Sequence, residues 1–249
     1  MGRDLKHAVG RGIANRPAQA LMLGKIAYGD KAHILKLWTR PFGIQSYMVH
    51  SVRSGRSGWR PALLLPMTAL EAVVTHRDKG QLEKISEVRA TPLWNHIQRD
   101  PVGQTLCLFA AEVLLKTLKA GDSTPDFYDD VVEMLARWDQ PGTSWAMAAV
   151  ELLALVAHHL GFALDPSHYV EGWAFDLREG LCAPAPLLHP EGLSPEATGA
   201  LMRWFSDPRL VPAKGLRQEL LDGLLTGLRW HHSSMGEIHS LEILRGLSA

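Results

Sequence analysis

The sequence predicts an α+β protein of two domains, in which a small five-stranded β-barrel precedes an all-α domain. Short apolar runs separated by turn residues occupy residues 20–89, whereas apolar residues recur at helical spacing beyond residue 92. The 249 residues also exceed the size of about 100–150 residues that is typical of one domain. The charge divides at a similar position, because residues 1–80 contain thirteen Lys and Arg against four Asp and Glu, whereas residues 81–249 contain thirteen against twenty-two.

The barrel is predicted from five runs that are typical of strands. These runs are residues 20–23, 32–38, 46–52, 63–75 and 82–89. Five short strands within about 70 residues favour a closed barrel, because closure removes the unpaired edges of an open sheet. We place this domain at residues 18–90. Residues 1–17 are polar and contain glycine, and we expect them to form an extension outside the core.

Helical periodicity defines the second domain, which we place at residues 91–249. The predicted helices span residues 103–119, 125–138, 144–161, a segment from 195, 214–232 and 238–246. Thr124 and Ser194 are the predicted N-caps of two of them, since each precedes a proline suited to a first helical turn. Residues 165–192 are rich in Pro and Gly, and we expect irregular structure there.

Composition and motifs exclude several classes of protein. No apolar run approaches the roughly 18 uncharged residues that a membrane span needs, and no apolar segment of a signal peptide follows the basic start. Cys107 and Cys182 are too few for a disulfide framework or a four-cysteine zinc site. The motifs GxxxxGK[ST], GxGxxG, GxSxG and HExxH are absent. We therefore expect a cytoplasmic protein that is not an enzyme and holds no cofactor.

Two clusters of potential metal ligands were weighed against simpler interpretations. The first is acidic and has the spacing of a solvated first helical turn, where carboxylates favour the positive end of the dipole; it comprises Asp126, Asp129, Asp130 and Glu133. The second straddles a Ser-Ser-Met-Gly break and comprises His231, His232, Glu237 and His239. Since adjacent helical residues point in different directions, we predict no metal site. A hydrolase that uses His and Asp residues of the helical domain stays an alternative.

Basic and aromatic residues interleave in the predicted barrel. Barrels of this type bind single-stranded nucleic acid through Lys and Arg on phosphates and aromatic rings on bases. The predicted DNA-binding residues are Lys25, Lys31, Lys36, Arg40, Tyr47, Arg53, Arg56, Trp59, Arg60 and Arg77. Trp38 and Phe42 are further aromatic candidates, although Trp38 and Tyr47 are equally suited to the barrel interior, which alternate strand positions fill. The glycine- and serine-rich segment around Arg56 is suited to phosphate contacts.

Several segments, in order, resemble the RecO family of bacterial recombination mediators, especially its Bacteroidetes members. They include residues 20–30 with the turn Tyr28-Gly29-Asp30, residues 43–47, Phe109-Ala-Ala-Glu112, residues 175–180 and residues 240–244. The resemblance extends over about residues 18–247 and implies an N-terminal OB-fold and a helical C-terminal domain. The chain departs from the family at residues 1–17, which have no counterpart, and at Trp38, where phenylalanine is expected. The zinc motif of some relatives cannot form with two cysteines.

The resemblance also implies a function. It predicts a mediator of DNA repair and homologous recombination that binds single- and double-stranded DNA and anneals complementary strands. With RecR, such proteins help to load RecA onto single strands coated by SSB, in the pathway that also includes RecF. Such a protein is expected in the cytoplasm at the nucleoid. An adaptor whose barrel is structural and whose main contacts are with RecR and SSB is the alternative.

The C-terminal tail of SSB is acidic, so its site is expected in an apolar groove beside local cations of the otherwise acidic second domain. Near Phe205, the predicted tail-binding residues are Arg203, Trp204, Arg209, Lys214 and Arg217.

Overall fold

A computed structural model describes residues 15–29, 32–50, 59–76, 82–91, 94–163 and 165–247. Five strands form a closed barrel in the order β1-β2-β3-β5-β4, in which β3 and β5 are parallel and all other neighbours are antiparallel. They are β1 (Asn15–Tyr28), β2 (Ala32–Thr39), β3 (Gly43–His50), β4 (Ala69–Thr75) and β5 (Glu83–Ala90). A 3-10 helix, Pro61–Leu64, closes one part of the barrel core between β3 and β4. This arrangement is an OB-fold and confirms the predicted fold class.

The first strand starts earlier than predicted. β1 begins at Asn15, and Asn15 to Pro17 pair with β4, although residues 1–17 were expected outside the barrel. β1 pairs with both of its neighbours in the barrel, since its first half pairs with β4 and its second half pairs with β2. The register shifts between Met22 and Gly24, and such a bulge bends a strand around a small barrel.

The run of residues 63–75 is also not a single strand. Its first part belongs to the 3-10 helix, and β4 begins only at Ala69. Pro61 and Pro66 flank this turn, and proline lacks the amide hydrogen that a strand ladder needs. Leu63 and Leu64 are buried there as part of the barrel core, which explains the apolar run without a strand.

The second domain contains a helix at each predicted position. The helices are α1 (Pro101–Thr117), α2 (Pro125–Trp138), α3 (Ala148–Leu160), α4 (Pro195–Ser206), α5 (Lys214–His231) and α6 (Ser240–Leu247). Ser194 caps α4 as predicted, because its hydroxyl accepts a hydrogen bond from the amide of Ala197. Thr124 occupies the N-cap position of α2 as predicted, although its side chain makes no capping hydrogen bond. In the part of the chain that the structure describes, no helix is long and apolar enough to cross a membrane.

Residues 165–192, predicted to be irregular, contain most of a second small sheet. Its order is β7-β6-β8, with β6 (Trp173–Asp176), β7 (Leu181–Pro184) and β8 (Gly192–Leu193). Strands of two to four residues are too short to show a period of two, which is why the sequence pattern did not reveal them. The buried Asp176 holds the β6–β7 turn, since its carboxylate accepts from the amides of Arg178 and Glu179.

Trp38 joins the two domains. Its side chain is fully buried on the outer face of the barrel, in the same apolar cluster as the helices of the second domain. The Trp38 ring lies 5.3 Å from that of Phe127 and 5.1 Å from that of Tyr128, both on α2. Trp38 is therefore neither a stacking platform nor a residue of the barrel interior, the two roles that the sequence left open.

The turn between β2 and β3 fits closely against the loop between α1 and α2. Gly43 has a φ of +62°, and a Cβ atom there would lie 2.1 Å from the carbonyl oxygen of Asp122. The amide of Gly121 donates to the carbonyl oxygen of Ile44 at 3.1 Å. A glycine at position 43 is thus required both by the backbone conformation and by the approach of the second domain.

The segment that follows the barrel is also fixed. The buried carboxylate of Asp139, at the end of α2, accepts from the amides of Asn95, His96 and Ile97 at 2.7, 2.7 and 2.9 Å. On the barrel side, the indole of Trp94 donates to the carbonyl oxygen of Met67 at 2.7 Å. These bonds satisfy buried backbone groups and hold the domains in one relative orientation.

We expect Trp38→Ala to lower the free energy of unfolding by about 3–5 kcal/mol, because it removes a fully buried indole and leaves a cavity between the domains. Trp38→Phe, which keeps an aromatic ring against α2, should cost clearly less. Urea unfolding followed by circular dichroism measures both values. An alanine variant as stable as the wild type would show that Trp38 does not hold the domains together.

A carboxylate of α1 anchors the last helix. Glu112 accepts from the hydroxyl and the amide of Ser240 and from the amide of His239, so it caps the first turn of α6. Lys116 lies 3.2 Å from the same carboxylate. Partial burial raises the pKa of Glu112, but the hydrogen bonds from Ser240, His239 and Lys116 outweigh it and lower the pKa to about 2.

We expect the contribution of Glu112 to depend on pH. Because its pKa is lowered by folding, the stabilisation is complete above the ordinary value of about 4.3 and is lost as the pH falls towards about 2. Near pH 7, Glu112→Gln should cost about 1–3 kcal/mol, since the buried donors lose a charged acceptor. Urea unfolding at several pH values should show this difference shrinking below about pH 4. A difference that is constant with pH would contradict this role of the carboxylate.

Candidate nucleic-acid interface

Charge distinguishes the strands of the barrel. No Asp or Glu occurs at residues 15–29 or 32–50, which include all of β1, β2 and β3. The glutamates of the described barrel strands, Glu71, Glu83 and Glu87, belong to β4 and β5. A polyanion is therefore expected to favour the face formed by the first three strands over the side where Glu71 and Glu87 lie at the surface.

The strand register places two lysines on the outer face of these strands. Lys36 of β2 is paired with Gly24 of β1 and with Ser46 of β3, and cross-strand partners share a face. The Lys36 ammonium donates to the Ser46 hydroxyl at 2.6 Å, which fixes its position above β3. Two residues further along β3, Met48 is paired with the exposed Lys84 of β5.

The second domain covers only one part of this outer face. Leu21, Trp38 and Ile44, which are paired in the register, are buried against the helices. A Cβ atom on Gly24 would lie 3.5 Å from a side-chain methyl of Leu115, so α1 reaches as far as the Gly24 position. Beyond it the face is open, and Ile26 is 55% exposed. We define this open part as the hairpin face: Gly24, Ile26 and Tyr28 of β1, Ala32, Ile34 and Lys36 of β2, Ser46, Met48 and His50 of β3, and Lys84 of β5.

The predicted basic residues do not all lie together. Lys36 of β2 belongs to the hairpin face, whereas Lys25 of β1 is exposed on the other side of the sheet, where it is paired with Leu35. Arg60 is exposed just before the 3-10 helix. Lys31, Arg53, Arg56 and Arg77 lie outside the described residues.

Arg40 serves the contact between the domains. Its guanidinium donates twice to the carboxylate of Asp129 on α2, at 2.7 Å for each bond. This hydrogen bonding lowers the pKa of Asp129 below its ordinary value. Because both groups are also partly exposed, Arg40 is on the surface, but its charge is matched by a carboxylate. The sequence could not show this pair, since the two residues are far apart along the chain.

The predicted aromatic residues are not free to stack on bases. Tyr47 is fully buried and Trp59 is 4% exposed, and both belong to the barrel core. Tyr47 faces inward because it alternates with outward-facing Ser46 and Met48, and its burial raises the pKa of its phenol. Phe42 is half-buried and stacks on His76 at 4.2 Å. The expectation that Tyr47 and Trp59 contact DNA is therefore corrected.

Tyr28 is an exposed aromatic residue of the barrel that was not among the predicted DNA-binding residues. Tyr28 is 55% exposed at the end of β1, where the sequence was interpreted as a turn. The signal that was available is the alternation of Ile26 and Tyr28 after Gly24, which places both side chains on one face of a strand.

An apolar groove lies in the helical domain. Its volume is about 870 Å³, and its walls include the end of α2, α3, α4, Leu224 of α5 and the segment that contains Pro208, Arg209 and Val211. Leu155, Trp204, Phe205 and Val211 provide apolar surface, and Phe205 is exposed by 37%. A largely apolar groove with a few charged groups is the usual form of a peptide or small-molecule site.

The cations of this groove have carboxylate neighbours. Arg209 donates twice to Asp207, at 2.9 Å each, and this lowers the pKa of Asp207. Arg137 donates to Glu151 at 2.8 Å, and the same carboxylate accepts from the indole of Trp138. An acidic ligand would therefore have to compete with Asp207 and Glu151 for these two arginines, whose side chains the carboxylates already hold in place.

The structure brings together only some of the predicted tail-binding residues. Trp204 and Arg209 line the groove. Lys214 and Arg217 line a separate cleft of about 470 Å³, and Arg217 donates to the carbonyl oxygen of Pro212. The Arg203 guanidinium lies on another side of α4, close to Gly199.

Each of the two potential metal clusters contains a residue that has another partner. Asp129 binds Arg40, and the His231 ring stacks on Phe162 at 4.2 Å with its Nε2 atom 2.8 Å from the carbonyl oxygen of Leu177. Within residues 15–247, as far as the structure describes them, no group of three or more His, Cys, Asp or Glu is arranged to hold a metal ion.

In the described residues, a closed OB-fold barrel is fixed to a domain of six helices, and the hairpin face of the barrel contains no carboxylate. This combination is typical of two-domain proteins that act on nucleic acid. The chain belongs to the recombination protein O family. The family's model "Recombination protein O N terminal" matches residues 16–93, and "Recombination protein O C terminal" matches residues 98–231. Membership confirms the resemblance and establishes a role in DNA repair and recombination.

Relatives named DNA repair protein RecO are similar over most of the chain. The protein of Porphyromonas gingivalis ATCC 33277 is 27% identical over 224 residues, which are 86% of this chain and 91% of the relative. That of Flavobacterium psychrophilum is 29% identical over 67% of this chain and 69% of the relative. That of Flavobacterium johnsoniae is 24% identical over 91% of this chain and 96% of the relative.

Proposed function

We propose that this protein binds single- and double-stranded DNA through the hairpin face, anneals complementary strands, and with RecR helps to load RecA onto SSB-coated DNA in the RecF pathway. The observation that supports this most directly is the combination of Lys36 and Lys84 with three strands, β1 to β3, that contain no acidic side chain. The function requires no covalent step, so no catalytic residues are assigned.

Annealing requires that two phosphate backbones approach each other. Lysines reduce their repulsion without contacting base edges, so that the bases stay available for pairing. The glutamates of β4 and β5 and the acidic helical domain repel DNA and thus favour its binding to the hairpin face. We also retain Lys31, Arg53 and Arg56 in the proposed site, because they follow β1 or β3 directly in sequence.

We further propose that the groove of the helical domain receives the acidic tail of SSB. Apolar burial against Trp204 and Phe205 would supply most of the affinity, and Arg137 and Arg209 would orient the carboxylates of the tail. Placing the tail on the second domain leaves the hairpin face available for the DNA that SSB releases.

The salt dependence of DNA binding tests the proposed function. A labelled single-stranded oligonucleotide should bind with an affinity that falls steeply as sodium chloride increases, since each phosphate contact adds about 0.7 to the slope of log K against log salt. Fluorescence anisotropy measures this slope. A weak response with a flat slope would contradict the proposal and favour the adaptor, in which RecR and SSB bring the DNA.

We expect Lys36→Glu to weaken binding of single-stranded DNA and to reduce the slope by about 0.7 or more, because at least one phosphate contact is lost. Arg89→Glu is the matched control, since Arg89 is a cation of the other side of the barrel and is paired with Glu71. The control should bind as the wild type does. Equal losses in the two variants would show that the hairpin face is not the preferred site.

We expect Arg209→Glu and Phe205→Asp to weaken binding of a labelled peptide of the SSB tail by at least about fivefold, which corresponds to the loss of one significant interface residue. Lys214→Glu changes a cation of the separate cleft and should leave the affinity unchanged. Anisotropy of the peptide gives all three values. A loss confined to Lys214→Glu would assign the tail to the cleft instead of the groove.

A further inference from the structure

The described part of the barrel contains five Phe, Trp and Tyr side chains, and four of them are packed against other residues. Trp38 contacts α2, Phe42 stacks on His76, and Tyr47 and Trp59 fill the core. Tyr28 differs because more than half of its surface is open to solvent. Among the described aromatic residues of the barrel, Tyr28 is therefore the one whose ring is available to stack on a base of DNA.

The surroundings of Tyr28 leave its ring accessible. Its register partner on β2 is Ala32, whose methyl group is too small to cover a phenol, and the partner of Ala32 on β3 is the exposed His50. Residues 25–28 are all exposed, although they alternate between the two sides of the strand. This end of β1 therefore extends past the barrel core, and both sides of it are in contact with solvent.

Apolar side chains continue from Tyr28 along the hairpin face. Ile26, one row nearer the barrel, is 55% exposed and is paired with Ile34, which in turn is paired with Met48. Cations border this row, since Lys36 occupies the next row and Lys84 is paired with Met48. Apolar and aromatic surface between lysines suits a ligand that has both flat apolar rings and negative charges.

We infer that Tyr28 stacks on an unpaired base of single-stranded DNA, with Ile26 beside it and with Lys36 and Lys84 on neighbouring phosphates. The inference rests on the proposed function and names the part of the site that contacts bases. Ala32 and Lys36 are four residues apart on β2, about 13 Å at 3.3 Å per residue. One single strand that follows β2 can therefore reach both the row of Tyr28 and Ala32 and the row of Lys36.

Stacking explains why the face combines an exposed tyrosine with lysines but has no carboxylate. Every base offers a π-face, so the contact is independent of sequence, as an annealing protein requires. An unpaired base is free to stack on the tyrosine ring, whereas a base in a duplex is already stacked on its neighbours. Tyr28 should therefore favour single-stranded over double-stranded DNA.

A double-mutant cycle with an abasic oligonucleotide tests this role. We expect Tyr28→Ala to weaken binding of a single-stranded oligonucleotide between about 5-fold and 150-fold, the range that corresponds to about 1–3 kcal/mol for one stacked base. The slope of log K against log salt should not change, because no phosphate contact is lost. On an oligonucleotide of the same length that lacks its bases, Tyr28→Ala should bind as the wild type does.

Matched variants separate stacking from other effects. Tyr28→Phe keeps the ring and should retain wild-type affinity, whereas Tyr28→Leu keeps apolar surface but loses the π-face and should behave as Tyr28→Ala. Trp230→Ala removes an aromatic residue of α5 that is 52% exposed and should have no effect. Thermal unfolding checks that all variants are folded, which the exposure of Tyr28 leads us to expect.

The outcomes distinguish this inference from the proposed function. If the wild type binds DNA with a steep salt slope and Tyr28→Leu binds equally well, the inference is wrong and the apolar row is a surface for a protein partner. The same conclusion follows if Tyr28→Ala weakens the abasic and the normal oligonucleotide alike. If the wild type shows no salt-dependent binding, the proposed function fails, and the base-stacking role fails with it.

Discussion

The packing of Trp38 between the barrel and α2 is the constraint on which the arrangement of the molecule depends. A barrel usually buries one side of each strand, but here the outer side of β1 to β3 is also buried where Trp38 meets Phe127 and Tyr128. The helical domain is thereby fixed on the barrel, with Gly43 and Asp139 completing the contact by close approach and hydrogen bonding. The hairpin face is the part of the outer side that stays open. The position of the proposed DNA site therefore follows from the position of the domain contact.

Electrostatics reinforces this division. Arg40, in the turn after β2, lies near the domain contact and is paired with Asp129, whereas Lys36 within β2 donates to the neutral Ser46. The charge of Arg40 is thus matched by a carboxylate, whereas the residues of the hairpin face include no carboxylate. The helical domain contributes carboxylates around the barrel, and these limit where a polyanion can approach.

Much of the fold could be predicted from the sequence, because six amphipathic helices and most barrel strands have clear periods. The candidate site could be predicted much less well, for identifiable reasons. Trp38 and Tyr47 are both aromatic residues of strands, and periodicity alone does not tell the interior from an outer face that another domain covers. Arg40 was predicted to bind DNA, since its partner Asp129 is visible only once the domains are docked. Tyr28 was overlooked, because the sequence does not show that β1 extends beyond the barrel core.

The groove and the hairpin face place different physical demands on their ligands. In the proposed function, the lysines of the hairpin face act on a backbone whose charges repeat, so this binding would depend on salt and tolerate different sequences. In the groove Arg137 and Arg209 already have carboxylate partners, so replacing these partners with those of a peptide gains little net energy. Affinity in the groove must then come from apolar burial near Trp204, which salt does not weaken. If both proposed sites are used, the protein keeps its partner in the groove under conditions that release DNA from the barrel, and the two ligands can be exchanged independently.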